Sequence, residues 1–564
     1  MDPLVFYVRT EGRMLYVGRY LAGQLDLLGI PYTKIEGTED VCWPPVMYDR
    51  NYHIYTGQWT VKEYPPLYMF PMFHSDFYFS GGSNYVTGMN ASNQPNYPHL
   101  DELLHAMYYS ESIADSLIAA KLAGEHGWCD LVVNIPLYSP RGYVAWRKTM
   151  AGVVNMFGYG LNNKYTYLNA YNVLGGPIRL GIAPAPMALN PLYCPTNRLA
   201  PDTMFSGWQV LDEIIYPHLV NVNPYDLSML QPWVAQDWEV GTWIDPNPGP
   251  GEPSEKTKIT FYLRKDCGVV EPGTGTFKRN LNAHDVEFSI WYLYAFDDGW
   301  NWHSVMDLHH TQIVDDYTIE VCFDSSSYWF LYAVGEQMPI MPKDELIDKL
   351  CTISSVSFDG PVSAGTQFKL DNNNEQIVQV TSEDLPVDFH IFGGYEDYQH
   401  NWIWILGHLP AGTYTIEYYT PSLDPHGYYL AGLPLTQTWY SAGLFYPIAI
   451  VPGVGGYVSL NRNRCYFHET PPLGELDWRW MWDTPGGVPG PEIPGRDSGY
   501  YEISIYDVVK ATASYCHYGN GPYDPQYFPG ADLDRTDLGH IGIYDIVTIT
   551  SKYGMKWGAP PPDC

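Results

Sequence analysis

The stretch from Thr257 to Phe323 limits the possible folds of this chain more than any other. "TKITFYLRKD" reads as a strand, "NAHDVEFSIWYLYAF" as a helix capped from Asn282, and "YTIEVCF" as a strand again. A helix written between strands calls for an α/β architecture, in which helices cover a sheet. Residues 1–170 share this texture. "LVFYVRT" looks like a buried strand, and "MLYVGRYLAGQLDLLGI" has apolar residues at helical spacing that stop at Gly29, a glycine C-cap. "YHIYTGQW" alternates as a strand does, "HLDELLHAMYYSESIADSLIAAKLAGEHGW" holds two helical stretches, and "LVVNIPLYS" reads as a further strand.

The texture changes twice more along the 564 residues. Between about 352 and 420, short β-like runs such as "FKLDN", "QIVQVTS", "VDFHIFGG" and "TYTIEYYT" alternate with Gly, Asp and Pro turns, as in a small inserted β-rich subdomain. "DTPGGVPGPEIPGR" is a Pro/Gly linker. The boundaries expected from these shifts are 1–170, 171–350, 351–429 for the insert, 430–482, a linker at 483–495, a module at 496–555 and a tail at 556–564.

Charge narrows the partners. Asp and Glu number 63 against 30 Lys and Arg, a formal net charge of -33. Such a surface repels phosphate backbones and gathers cations, which argues against nucleic acid. Nine cysteines show no CxxC spacing, so neither a zinc ribbon nor a thioredoxin-type motif is written here. The opening "MDPLVFYVRTEGR" lacks the basic region and apolar core of a signal peptide. No run of 18 apolar residues spans a bilayer.

One heptapeptide is written twice: "ISIYDVV" at Ile503–Val509 and "IGIYDIV" at Ile541–Val547, 38 residues apart. Each continues into a short amphipathic helix. The second follows "ADLDRTDLGH", where Asp532, Asp534, Thr536 or Asp537, and Asp545 are spaced as oxygen ligands for calcium, with His540 contributing its backbone carbonyl. The first copy keeps only Asp507 of that set. The pair resembles a dockerin-type calcium-binding repeat over Pro494–Gly554. The second loop has 14 positions where the usual loop has 12. The resemblance implies a duplicated helix pair in which at most one copy holds Ca2+, and a cohesin-like docking partner.

The larger body carries a second resemblance. In order it reads "PMALNPLY", "VLDEIIYPHLVNVNPYDLSMLQPWVAQDWEV", "KITFYLRKDCGV", "NAHDVEFSIWYL", "DDYTIEVCF" and "MPIMPK", and later "GLFYPIAIVPGVGGYVSLNRNRCYF". This series resembles the first lobe of the family 5 extracytoplasmic solute-binding proteins, which deliver peptides, nickel and some sugars to ABC importers. The likeness makes Trp233 and Trp238 packing residues of one strand, Arg264 the end of the next, and Asp285 a first-turn acid favoured by the helix dipole. "RYLAGQLDLLGIPY", "YHIYTGQW", "NYPHLDELLHAM" and "IPLYSPRGYVAWRKTMAGVVN" are similar to the family's second lobe and its return into the first. In the family they follow the first lobe; here they precede it. The implied fold is a permuted two-lobe, type II periplasmic-binding-protein-like α/β body, shortened at its amino terminus, with an inserted β-rich subdomain and a small α-helical dockerin-like module. The implied location is extracellular or at the cell surface, with the export signal outside this chain.

The same resemblance implies a solute site in a cleft that closes by hinge motion. Its residues would be Gln58, Trp59, Thr60, Lys62 and Glu63 of "TGQWTVKEYPP", with Asn190 and Tyr193. The family's peptide binders place a Trp at Trp59 and a Pro at Pro66, with an Asp three residues after the Trp that pairs with the ligand's α-ammonium. Here that position is Lys62, of opposite sign. A stacking wall for a ligand and ordinary core packing both fit Trp59; Lys62 and Glu63 also fit a solvated ion pair. In "WHSVMDLHHTQIV", His303, His309 and His310 invite a nickel ion, since imidazole suits nickel. Strand alternation would put His309 and His310 on opposite faces. Asn90 opens a glycosylation sequon that matters in an exported chain.

The function implied is an extracytoplasmic receptor, with no catalysis of its own, that hands an oligopeptide or related solute to ABC importer membrane subunits. No Ser/His/Asp set, P-loop or HExxH motif is written here. The alternatives are a secreted dockerin-bearing glycoside hydrolase, which needs two carboxylates facing a sugar, and a non-transporting calcium-dependent docking or scaffold protein.

Overall fold

Strand β1 (Leu4–Arg9) is the centre of a three-stranded parallel sheet in the order β2–β1–β3, with β2 at Tyr32–Gly37 and β3 at Ile54–Thr56. The computed structural model of the protein describes residues 3–47, 49–57, 64–78, 84, 89–135, 147, 149–156, 160–161, 163–172, 174–179, 215–246, 248–249, 253–295, 305–347, 356–358, 367–370, 391–397, 400–405, 412–414, 440–451, 457–467, 480–481, 500–502, 546, 550 and 556–557. The chain is mixed α/β and divides into two compact units, Met1–Arg141 with Ser326–Trp329, and Gly142–Ser325 with Phe330–Cys564.

In the first unit, parallel strands require crossovers, and helices supply them. Helix α1 (Met14–Leu28) joins β1 to β2, and α2 (Glu39–Met47) joins β2 to β3. Side chains alternate along β1, so each helix takes its own face. Phe6 and Val8 pack with Ala22 of α1, ringed by Leu15, Leu21 and Leu25. Tyr7 packs with Cys42 and Val46 of α2, ringed by Trp43, Ile35 and Tyr55. The close fit of α1 depends on Gly18, because a Cβ there would lie 2.3 Å from Val8 Cγ1. The helix ends where the sequence says it should, at Gly29 with φ 66°.

Beyond β3, α3 (Pro65–Phe73), α4 (Tyr97–Tyr108) and α5 (Ile113–Glu125) complete the unit. Ser112 caps α5 by accepting from Asp115 N at 3.1 Å. Trp329 is 1% exposed; its indole N–H donates to Ser116 Oγ at 2.8 Å and its ring lies 5.7 Å from that of Tyr64. The expected strand in "LVVNIPLYS" is absent from its described residues. Leu131 closes a π-helix (His126–Leu131), and Val132 sits at φ 55°. A left-handed β-branched residue ends any extended run.

The second unit holds a four-stranded antiparallel sheet in the order β12–β13–β9–β8. The strand pairs preceding it in the chain are β4 (Met150–Ala151) with β5 (Tyr171–Asn172), and β6 (Val220–Asn223) with β7 (Asp226–Pro232). The sheet strands are β8 (Ala235–Ile244), β9 (Glu255–Leu263), β12 (Leu308–Asp315) and β13 (Thr318–Phe323); β10 (Gly268–Val270) pairs with β11 (Phe277–Asn280) alongside. Ile259, Phe261, Ile319 and Val321 are fully buried, while Lys258 and Glu320 on the opposite face form an ion pair at 2.7 Å. Helix α6 (Lys164–Asn169) is capped by Asn163, and buried Tyr165 donates to the Val222 carbonyl.

Helix α7 (Ala283–Ala295) starts as read. Asn282 Oδ1 accepts from His284 N, and Asp285, 1% exposed, accepts from Asn282 N at 2.8 Å. Arg279 holds Asp285 with two bonds of 2.8 Å and reaches Glu345 at 2.7 Å. Burial alone would lower the Arg279 pKa, but Asp285 and Glu345 outweigh it and raise it above its ordinary value. The antiparallel pair β19 (Phe445–Val451)–β20 (Tyr457–Arg462) follows strands β14 (Val356–Phe358), β15 (Gln367–Leu370), β16 (Ile391–Asp397), β17 (His400–Ile405) and β18 (Gly412–Tyr414), which pair as β14–β18 and β15–β17–β16. Further on, β21 (Trp480–Met481), β22 (Tyr500–Glu502) and β23 (Lys556–Trp557) form a small sheet.

Candidate functional site

The order β2–β1–β3 makes the chain leave β1 to one side and return on the other. At such a switch point the two loops at the carboxyl ends of the strands diverge and leave a crevice, where open α/β sheets bind ligands. The two strands that flank it here are β1, ending at Arg9, and β3, ending at Thr56.

The described residues at these strand ends are tied together. Arg9 N–H donates to Thr56 Oγ1 at 3.1 Å, tying the two strand ends together. The Arg9 side chain is 6% exposed, and its Nε donates to Glu11 Oε2 at 3.0 Å. Gly12 takes φ 55° in the turn between β1 and α1, a conformation that favours glycine. Thr10 N–H donates to the Gly37 carbonyl at 2.9 Å, closing the edge on the β2 side. Cys42 lies beneath, its Sγ 3.4 Å from the Gly37 carbonyl. Burial pushes its thiol pKa up, and the Glu11 charge adds to this, which favours the neutral thiol.

The stretch proposed from sequence begins two residues beyond β3. Gln58, Trp59, Thr60, Lys62 and Glu63 themselves lie outside the described residues, as do Asn190 and Tyr193. The chain after them is described. Tyr64, 5% exposed, is the N-cap of α3, and Pro65 and Pro66 fill the first two helical positions. Proline carries no N–H, so this helix start offers fewer donors to an anion than an ordinary one. The carboxyl ends of β1 and β3 thus present a buried guanidinium beside a partly exposed carboxylate and a threonine hydroxyl that accepts from Arg9 N–H.

Arg9, Glu11 and Thr56 were not legible as site residues from the sequence. The only local signal is a charged residue closing an apolar run, which is also what a solvated strand end looks like. The calcium candidates Asp532, Asp534, Asp537, His540 and Asp545 lie outside the described residues too. Among the described residues no group of three or more His, Cys, Asp or Glu is placed to hold a metal ion. No helix among them is long and apolar enough to cross a membrane. His309 and His310 differ from expectation: a β-bulge between Leu308 and His310 brings both imidazoles together, Nδ1 to Nδ1 at 2.6 Å. The extra residue breaks the alternation that would have separated them.

No family model matches the chain, and no curated protein matches it. Solved structures do. A dipeptide-binding protein from Pseudoalteromonas sp. SM9913 in complex with Met-Leu is 17% identical, covering 29% of this chain and 31% of its own, with a TM-score of 0.22. HbpA2 from Haemophilus parasuis is 25% identical over 30% and 31%, with a TM-score of 0.22. The ABC transporter-associated periplasmic binding protein DppA from Helicobacter pylori, in complex with the peptide STSA, is 20% identical over 29% and 30%, with a TM-score of 0.21. The chain spans less than a third of the length of each of these proteins.

Proposed function

We propose that this chain is an extracytoplasmic receptor that binds a small, peptide-like solute for an ABC importer, and that Trp59 stacks on the solute. The observation that carries this reading is the position of β3 at the switch point of the first unit, because β3 ends at Thr56, two positions before Gln58 in the sequence. The ordered sequence series in the second unit supports it. So does the meeting of two of its distant parts: Trp233 and Tyr466 are joined by a buried hydrogen bond of 2.8 Å. Cys465 is disulfide-bonded, which accords with an oxidising compartment outside the cytoplasm.

A receptor gains stability from its solute by mass action, about 2.7 kcal/mol at a concentration one hundred times Kd. Thermal melting of the full chain against a library of di- to pentapeptides should show a saturable rise for a subset of them, lost in Trp59→Ala. A library without effect on the wild-type melt refutes the reading, and release of sugar from glycosides instead of a shift favours the hydrolase. The dockerin-like pair remains a proposal from sequence. Calcium should raise the melting midpoint of a transition assigned to residues 496–555, and Asp532→Ala with Asp534→Ala should remove the rise.

A further inference from the structure

The strongest unassigned feature among the described residues is the histidine pair at the exposed edge of the second unit's sheet. Strand β12 is an edge strand, and two of its residues, His309 and His310, oppose a single step of β13: Leu308 faces Phe323, and His310 faces Cys322. The bulge turns both rings towards one side, where Trp243 of β8 supports them. The Trp243 ring lies 4.5 Å from that of His309 and 5.0 Å from that of His310. The indole cannot drift, because its Nε1 donates to the Phe323 carbonyl at 3.0 Å. The two imidazoles stand at 77° to each other, with their Nδ1 atoms 2.6 Å apart.

We propose that His309 and His310 chelate a divalent transition-metal ion, Cu2+ in preference to Ni2+, through their two Nδ1 atoms, with water or a small chelator completing the shell.

Geometry selects the metal. With metal–nitrogen bonds of about 2.05 Å, a separation of 2.6 Å corresponds to an angle of about 80° at the metal. A square-planar or octahedral ion asks for about 90°, or about 2.9 Å between nitrogens; a tetrahedral zinc ion asks for about 3.3 Å. The first needs an opening of about 0.3 Å, which exposed His309 can provide by turning its ring. Copper stands above nickel for nitrogen donors. The nearby Glu320 is engaged with Lys258 at 2.7 Å, so the imidazoles are the donors. The site lies within the second unit and does not depend on the proposed solute receptor.

The test uses the full chain with Cu2+ alone. Copper bound beside Trp243 quenches its emission, and electron paramagnetic resonance counts the nitrogens coupled to the ion. The wild type should bind one Cu2+ more tightly than its background of surface sites, with two coupled nitrogens and quenching that disappears in Trp243→Phe. His309→Gln and His310→Gln should each weaken that binding at least tenfold and leave one coupled nitrogen, while His99→Gln, at another exposed histidine, should bind as the wild type does. Wild-type copper affinity in both His309→Gln and His310→Gln, with circular dichroism unchanged, overturns the proposal, as does a spectrum without nitrogen coupling in the wild type.

Discussion

The Trp233 indole N–H donates to the Tyr466 hydroxyl at 2.8 Å, joining positions 233 residues apart in the chain. Both rings are buried, and Phe467 meets Trp233 edge-on at 5.8 Å. The segment that opens β8 and the segment that follows β20 therefore share one core. Replacing Tyr466 with Phe keeps the ring and deletes this acceptor at Trp233 Nε1. The expected cost is about 1–3 kcal/mol, read as a lower urea midpoint with an unchanged slope. A midpoint equal to that of the wild type would show that the bond is dispensable.

Gly18→Ala should destabilise the first unit by about 1–3 kcal/mol, since the new methyl meets Val8 Cγ1 at 2.3 Å and α1 must lift from the sheet. Val8→Ala in the same chain should recover part of the loss. Comparing the two single variants with the double variant measures the coupling. Simple additivity would contradict the close contact.

Arg279→Leu leaves the carboxylate of Asp285, 1% exposed, without its main counter-charge. A loss of about 3–5 kcal/mol is expected in chemical denaturation. Adding Asp285→Asn should restore part of it, because the buried charge is gone and the single amide oxygen can still accept from one of the two backbone N–H groups, Asn282 or Lys343, that bond separate carboxylate oxygens of Asp285. A double variant less stable than Arg279→Leu alone would argue against an unpaired charge as the cause.

Glu36 gives the first unit an acid dependence. Its pKa is held down to about 2 by hydrogen bonds from Arg19 and Lys34, against an ordinary value of 4.5. A carboxylate lowered on folding stabilises the folded state above its unfolded pKa. That contribution fades as the pH falls from about 4.5 towards 2. Glu36→Gln should flatten the decline in melting temperature over this window and leave the decline above pH 5 as it was. Parallel curves for the two proteins would remove Glu36 as a cause.

What the sequence disclosed was local. Gly29 as the stop of α1, Asn282 as the cap of α7 and the paired helical stretches before residue 125 are written in residue type and spacing, and they stand where spacing puts them. What it concealed depends on register and strand order. Val132 belongs to an apolar β-branched run, and only the π-helix before it shows why the chain turns left-handed there. His309 and His310 alternate on paper, but a one-residue bulge cancels the alternation. Arg9 looks like the soluble end of a strand until β3 is seen to lie beside β1. Neither bulges nor strand neighbours leave a periodic trace in a single sequence.

Strand β1 has a partner on each edge and a helix on each face, and beyond Arg9 the chain turns through Thr10, held to Gly37, and Gly12 into α1. That turn lies outside the two hydrophobic clusters around β1. Segments grafted between Arg9 and Met14 would inherit a rigid mount, so this short connector is open to exchange while the framework is left alone.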